Sequence, residues 1–80
     1  MNNERIQERA EELAADEEVI GWRIDDMKRE IGAAVMRGEK VSHRMNELHQ
    51  AELELRAIRL GLAAAREILD QGEAAESVSE

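Results

Sequence analysis

The chain has no cysteine, no proline, no phenylalanine and no tyrosine, and only one tryptophan among its 80 residues. Without cysteine there is neither a disulfide framework nor a thiolate zinc site, and the redox compartment leaves no mark on the composition. Long apolar runs are missing as well. The longest are the six-residue stretches "IGAAVM" at 31–36 and "LGLAAA" at 60–65, far short of the ~20 residues that a membrane-spanning helix requires. The opening "MNNERIQERAEEL" is polar and acidic, unlike a secretory signal or a transit peptide. These absences predict a soluble, cytoplasmic protein.

What the chain does contain is charge and helix formers. Charged residues make up 38%, and Ala, Glu, Leu and Arg dominate, a composition typical of long helices and coiled coils. Eighty residues build one small domain, and a monomer of that size buries a marginal core, so oligomerisation is the expected way to remove more surface from water. The net charge is −8 and is spread unevenly. Residues 1–38 carry ten acidic and six basic groups, 39–72 carry six and five, and 73–80 carry three acidic groups alone. Such a chain lacks the cationic footprint that binds phosphate by counterion release, so direct nucleic-acid binding is not expected. Its field instead favours encounter with basic protein surfaces.

Hydrophobic periodicity gives the architecture. Ile6, Ala10, Leu13, Ile20, Ile24, Met27, Ile31 and Ala34 follow an alternating 4-3 spacing that Glu17 interrupts once, which marks a single seam on one long helix. Asn3 is a candidate N-cap, and Glu4 follows in the first turn, where the helix dipole favours an anion. In "MRGEKVS", Arg37 suits a helix C-terminus, Gly38 suits the left-handed position just beyond it, and Ser42 is the candidate cap of the next helix. Val41, Leu48, Leu55, Leu62 and Leu69 then recur every seven residues, with Ala51, Ile58 and Ala65 between them. Gly72 reads as a stop, and "EAAESVSE" as a disordered acidic tail over 73–80. The expectation is an all-α, antiparallel helical hairpin forming a single domain over 1–72. Its parts are a helix at about 3–37, a turn at about 38–41 and a helix at about 42–71. Two copies would pair into a four-helix bundle or coiled-coil-like homodimer. A competing reading of "LAADEEV" ends the first helix at Ala14–Ala15 and restarts it with Asp16 as cap.

One seam leaves apolar residues unused. On helix one, Ala15, Val19, Trp22, Ala33 and Met36 lie away from it. On helix two, Leu53, Ala57, Leu60 and Ala64 recur at i, i+4, i+7 and i+11 opposite the Leu seam, and Gly61 thins the helix beside them. Uncovered stripes of this kind are uncommon on a soluble monomer. Leu53, Ala57, Leu60, Ala64 and Gly61 are therefore the candidate oligomer interface. Trp22 and Val19, ringed by Glu12, Asp16, Glu18, Asp25 and Asp26, are the candidate partner-binding surface. Tryptophan joins a large apolar area to an N–H donor and is enriched at binding hot spots. The Gly21 beside it costs roughly 1 kcal/mol relative to alanine in a helix, and is tolerated where another group must approach. The same acidic band includes Glu8, Glu11 and Glu17. Arg5 and Arg9 stand three residues before Glu8 and Glu12, in reach for local pairing, while Glu8 and Glu12 repel each other.

Little in the chain suggests chemistry. His43 and Glu47 lie at i, i+4, but neither His43 nor His49 falls in a metal-ligand pattern such as HExxH or ExxH. Ser42 and His43 are adjacent and point apart on a helix, so they form no nucleophile–base couple. Gly21, Gly32, Gly38, Gly61 and Gly72 are scattered and make no phosphate loop. No catalytic, metal-ligating or cofactor-binding residue is assigned, and an enzyme is not expected.

Three resemblances extend this reading. The hairpin architecture is similar to that of the Rop family, which implies a dimeric four-helix bundle regulating RNA; that role requires a basic face, which this chain does not offer. "VMRGEK" at the turn and "IRLGLAAAREIL" in helix two look like segments of small type III secretion needle chaperones, with helix two about a heptad longer here. That resemblance implies a subunit whose apolar stripes are completed by another protein. In size and composition the chain resembles small acidic helical proteins that bacteriophages encode against host defence machinery. Together these point to a non-catalytic protein–protein interaction module. Its expected action is that of a stoichiometric acidic inhibitor or adaptor, phage or mobile-element encoded, blocking a host defence or nucleic-acid-binding protein.

Overall fold

The computed structural model describes residues 3–79, with side chains described through 71. Two helices account for nearly all of it: α1, Asn3–Met36, and α2, Ser42–Ser79. They lie antiparallel as a hairpin in a rod 66 Å long and 15 Å across. The all-α hairpin expected from the heptads is thus the fold. α1 runs without a break through Ala14–Asp16, because strong helix formers there outweigh the capping tendency of Asp16. α2 continues through Gly72 to Ser79, past the expected end at about 71. Glycine in a helix costs only about 1 kcal/mol, and the Ala and Glu residues that follow favour helix. The backbone of 73–79, expected as a disordered acidic tail, thus continues the helix, while residue 80 and the side chains of 72–79 lie outside the described residues.

The seam residues point as the spacing requires. On α1, Ile6, Ala10, Leu13, Ile20, Met27 and Ile31 are half-buried, and Ile24 and Ala34 are buried. On α2, Leu48 and Ala51 are buried, and Val41, Leu55, Ile58, Leu62, Ala65 and Leu69 are half-buried. The centre of the rod is a cluster of Ile24, Leu48 and Ala51, packed around by Ile20, Met27, Ile31 and Leu55. Four buried side chains form the whole described core. At roughly 1.5–3 kcal/mol for each large aliphatic removed from water, that core is small for 80 residues.

Two polar residues share the seam. Glu17, the one break in the α1 pattern, is half-buried and accepts a hydrogen bond from Arg59 Nε at 3.1 Å across the hairpin. Arg44 occupies the seam position between Val41 and Leu48. It is half-buried, and its Nη2 lies 4.0 Å from Glu39 Oε1. Its Nη1 is enclosed with no hydrogen-bond partner among the described residues.

The turn is defined by backbone bonds. Gly38 has φ +78°. Its N–H donates to the Val35 carbonyl at 3.0 Å, and the Glu39 N–H donates to the Ala34 carbonyl at 3.0 Å. This 5→2 and 6→1 pair is a Schellman motif, with Gly38 in the left-handed position that the sequence assigned it. Glu39 also pairs with Arg37, tying the two sides of the turn. At the start of α2 the Met45 N–H donates to the Val41 carbonyl at 2.8 Å. Val41, held in the seam, therefore takes the capping position, and Ser42, the expected cap, is the first helical residue.

A Cβ at Gly38 would meet no atom within 4 Å, so only backbone strain opposes a side chain there. Gly38→Ala is expected to destabilise the hairpin by about 1–2 kcal/mol, the cost of a left-handed conformation in an L-residue. Urea titration should show a lower midpoint at an unchanged slope; an unchanged midpoint would contradict this reading of the turn.

Candidate functional site

The registers of the two seams decide what lies beside them. In an antiparallel pair, like flanks of the two heptads meet. On one side Gly21, Lys28, Glu18 and Asp25 of α1 therefore face Glu52, Arg59, His49 and Arg56 of α2. Ile24 and Leu55 lie at the base, and Trp22, Leu53 and Leu60 stand at the outer edges. The result is an open groove of about 890 Å³ along the middle of the rod. Its α1 wall carries Glu17, Glu18 and Asp25 with Lys28, and its α2 wall carries Arg56 and Arg59 with Glu52 and His49. The α1 wall is thus net acidic and the α2 wall net basic, and Glu17–Arg59 bridges them.

Trp22 is 61% exposed, Leu60 67% and Leu53 44%. A Cβ at Gly21 would meet nothing within 4 Å, so the hairpin itself does not require glycine there. The missing side chain leaves the groove open beside Trp22.

The sequence-predicted residues separate over this surface. Trp22, Glu18 and Asp25 line the groove. Val19, 51% exposed, lies off it. Glu12, Asp16 and Asp26 also lie outside it and are exposed; Arg9 donates to Glu12 at 3.1 Å, and Asp26 stands 3.7 Å from Arg29. Arg5 and Glu8, in reach by spacing, do not pair among the described residues.

Of the α2 set, Leu53 and Leu60 reach the groove edge, whereas Ala57 is exposed and does not line it. Ala64 and Gly61 border a smaller depression of about 320 Å³ on the other side of the hairpin, with Arg5, Ile6, Arg9, Leu13, Ala65 and Ile68. Gly61 is half-buried there, and a Cβ on it would stand 3.2 Å from Leu13 Cδ1. Glycine at 61 serves the close approach of α1 within the hairpin.

Sequence reasoning passed over Lys28, Arg56 and Arg59. The signal was available: they occupy the flanks of the heptads already assigned, on the side shared with Glu18 and Asp25. His43 Nε2 lies 3.0 Å from Glu47 Oε1 on the exposed face of α2, and His49 lines the groove singly. Among the described residues no group of three His, Asp or Glu side chains stands close enough to hold a metal ion. No helix among them is long and apolar enough to cross a membrane. No protein-family model, curated protein or solved structure matches the chain.

Such a surface suits recognition. On α1 it presents an exposed indole with carboxylates around it, and on α2 two exposed leucines.

Proposed function

We propose that the protein is a non-catalytic protein–protein interaction module acting stoichiometrically, a small acidic inhibitor or adaptor. The observation that carries this reading is the exposure of Trp22 at the groove edge, on a helix with ten acidic and five basic residues over 3–36. A large aromatic held in water beside unpaired carboxylates is costly on a monomer and useful at an interface, where its burial and the surrounding charge act together. Among the described residues Glu11, Asp16, Glu18 and Asp25 form no ion pair, so they remain available to a cationic partner. The partner of fitting chemistry is a basic protein surface, such as the nucleic-acid-binding patch of a host defence protein, which the module would occupy and block. A homodimer through α2 belongs to the same reading.

Affinity capture from the native host, with mass spectrometry of what is retained, tests it. The expected catch is a basic nucleic-acid-binding protein that elutes with salt, because exposed charge pairs are screened. A triple variant Asp16→Asn, Glu18→Gln, Asp25→Asn should retain it about tenfold less well, at ~0.5 kcal/mol for each exposed pair lost. Identical retention by wild type and variant would end the electrostatic part of the proposal, and capture of no protein above the tag control would end all of it.

A further inference from the structure

The Leu53, Ala57, Leu60, Ala64 stripe is palindromic. Read in either direction the spacing is 4-3-4, and reversal exchanges every leucine for an alanine. All four are exposed on the continuous helix α2. We propose that this stripe docks on the same stripe of a second copy, with the two α2 helices antiparallel about a two-fold axis between residues 58 and 59. Leu53 then faces Ala64 of the second copy, and Ala57 faces Leu60, so that each large side chain meets a small one. Large-against-small packing lets two helices interdigitate at the 8–10 Å separation of packed helices.

Charge selects the occupant. Over 42–71, α2 has five acidic and four basic residues, whereas α1 over 3–36 has ten and five. Pairing α1 with itself would stack like charges, while α2 is close to neutral. In the two-fold register the flanks also avoid like charges. Arg56 falls beside Ala63 of the second copy, Glu54 beside Gly61, and His49 beside Asp70. The patch is about three helical turns long, a small contact, so the dimer is expected to depend on concentration. The α2 pair lies at the centre, and each α1 faces outward with Trp22 free. Two partner-binding faces are thereby presented in one particle. The proposal rests on the interaction-module reading only in leaving α1 to the partner.

Sedimentation equilibrium of the full chain up to about 100 µM, with circular dichroism as the control for folding, tests it. The expected species has twice the 9.1 kDa chain mass. Ala57→Leu sets leucine against leucine, and Leu60→Ala sets alanine against alanine. Each should weaken the dimer about tenfold or more, and the double variant, which restores large against small, should return to within about threefold of wild type. Ala57→Glu should be monomeric and fully helical. A wild type that is monomeric throughout, or a double variant as weak as the sum of its parts, would overturn the proposal. A monomeric wild type that still captures a basic partner removes the dimer and leaves the α1 reading standing. A dimer that captures nothing supports the two-fold register and removes the α1 reading.

Discussion

Ile24→Ala should destabilise the hairpin by about 3 kcal/mol, the middle of the range for truncating a buried isoleucine. Ile24 is 5% exposed and sits at the centre of the cluster with Leu48 and Ala51. Its loss leaves a cavity between two helices that have few other buried contacts to hold them. A domain of this size has a total stability on the order of 5–10 kcal/mol. The substitution therefore removes a large share of it and should lower the thermal midpoint by about 12–24 °C. Thermal unfolding followed by circular dichroism reads this directly. The control is Leu60→Ala at concentrations where the chain is monomeric, expected to change stability by less than about 0.5 kcal/mol. Equal effects at 24 and 60 would mean that the seam does not hold the molecule together.

Trp22→Ala has the opposite profile. The indole is 61% exposed on an uninterrupted helix, and alanine is the better helix former. Helicity and stability should stay within about 0.5 kcal/mol of wild type. Partner binding should fall by about 2–4 kcal/mol, or roughly 30- to 1000-fold, as for a tryptophan at the centre of an interface. The α2 dimer should be unaffected, because Trp22 lies on the other helix. Titration of the captured partner against wild type and variant measures the first effect, and sedimentation measures the second. Unchanged affinity would remove Trp22 from the binding surface. Unfolding of the variant would mean that the indole supports the core and that its exposed position is not where its energy is spent.

The split between these two substitutions follows from a pattern visible in the residues. A 4-3 alternation is local, and it already says which side of each helix turns inward. All eight seam residues of α1 point into the hairpin, from Ile6 to Ala34. Gly38 was legible for an equally local reason: only glycine enters the left-handed region at little cost. The cap of α2 was less legible. Ser42 has the preferred side chain, but packing of Val41 into the seam moved the first backbone bond one residue earlier. Arg44 in the seam was missed because its charge suggests the surface, although a long aliphatic stem lets an arginine take a half-buried position.

The groove needed the tertiary structure. From the residues alone, Trp22 belonged to one helix and Leu53 and Leu60 to another, and they were assigned to separate surfaces. The structure sets all three along one groove. Which flank of α1 meets which flank of α2 depends on the register across the turn, and no periodicity within either helix contains it. The same register makes Glu17 and Arg59, 42 residues apart, neighbours at 3.1 Å, and sets Gly61 against Leu13 instead of leaving it to the outer stripe. Sequence by itself determined the helices, their inward faces, the turn and the charge of each half, because these arise from residues within a few turns of one another. Only the tertiary structure decided which side chains share a surface, because that depends on contacts between residues far apart in the chain.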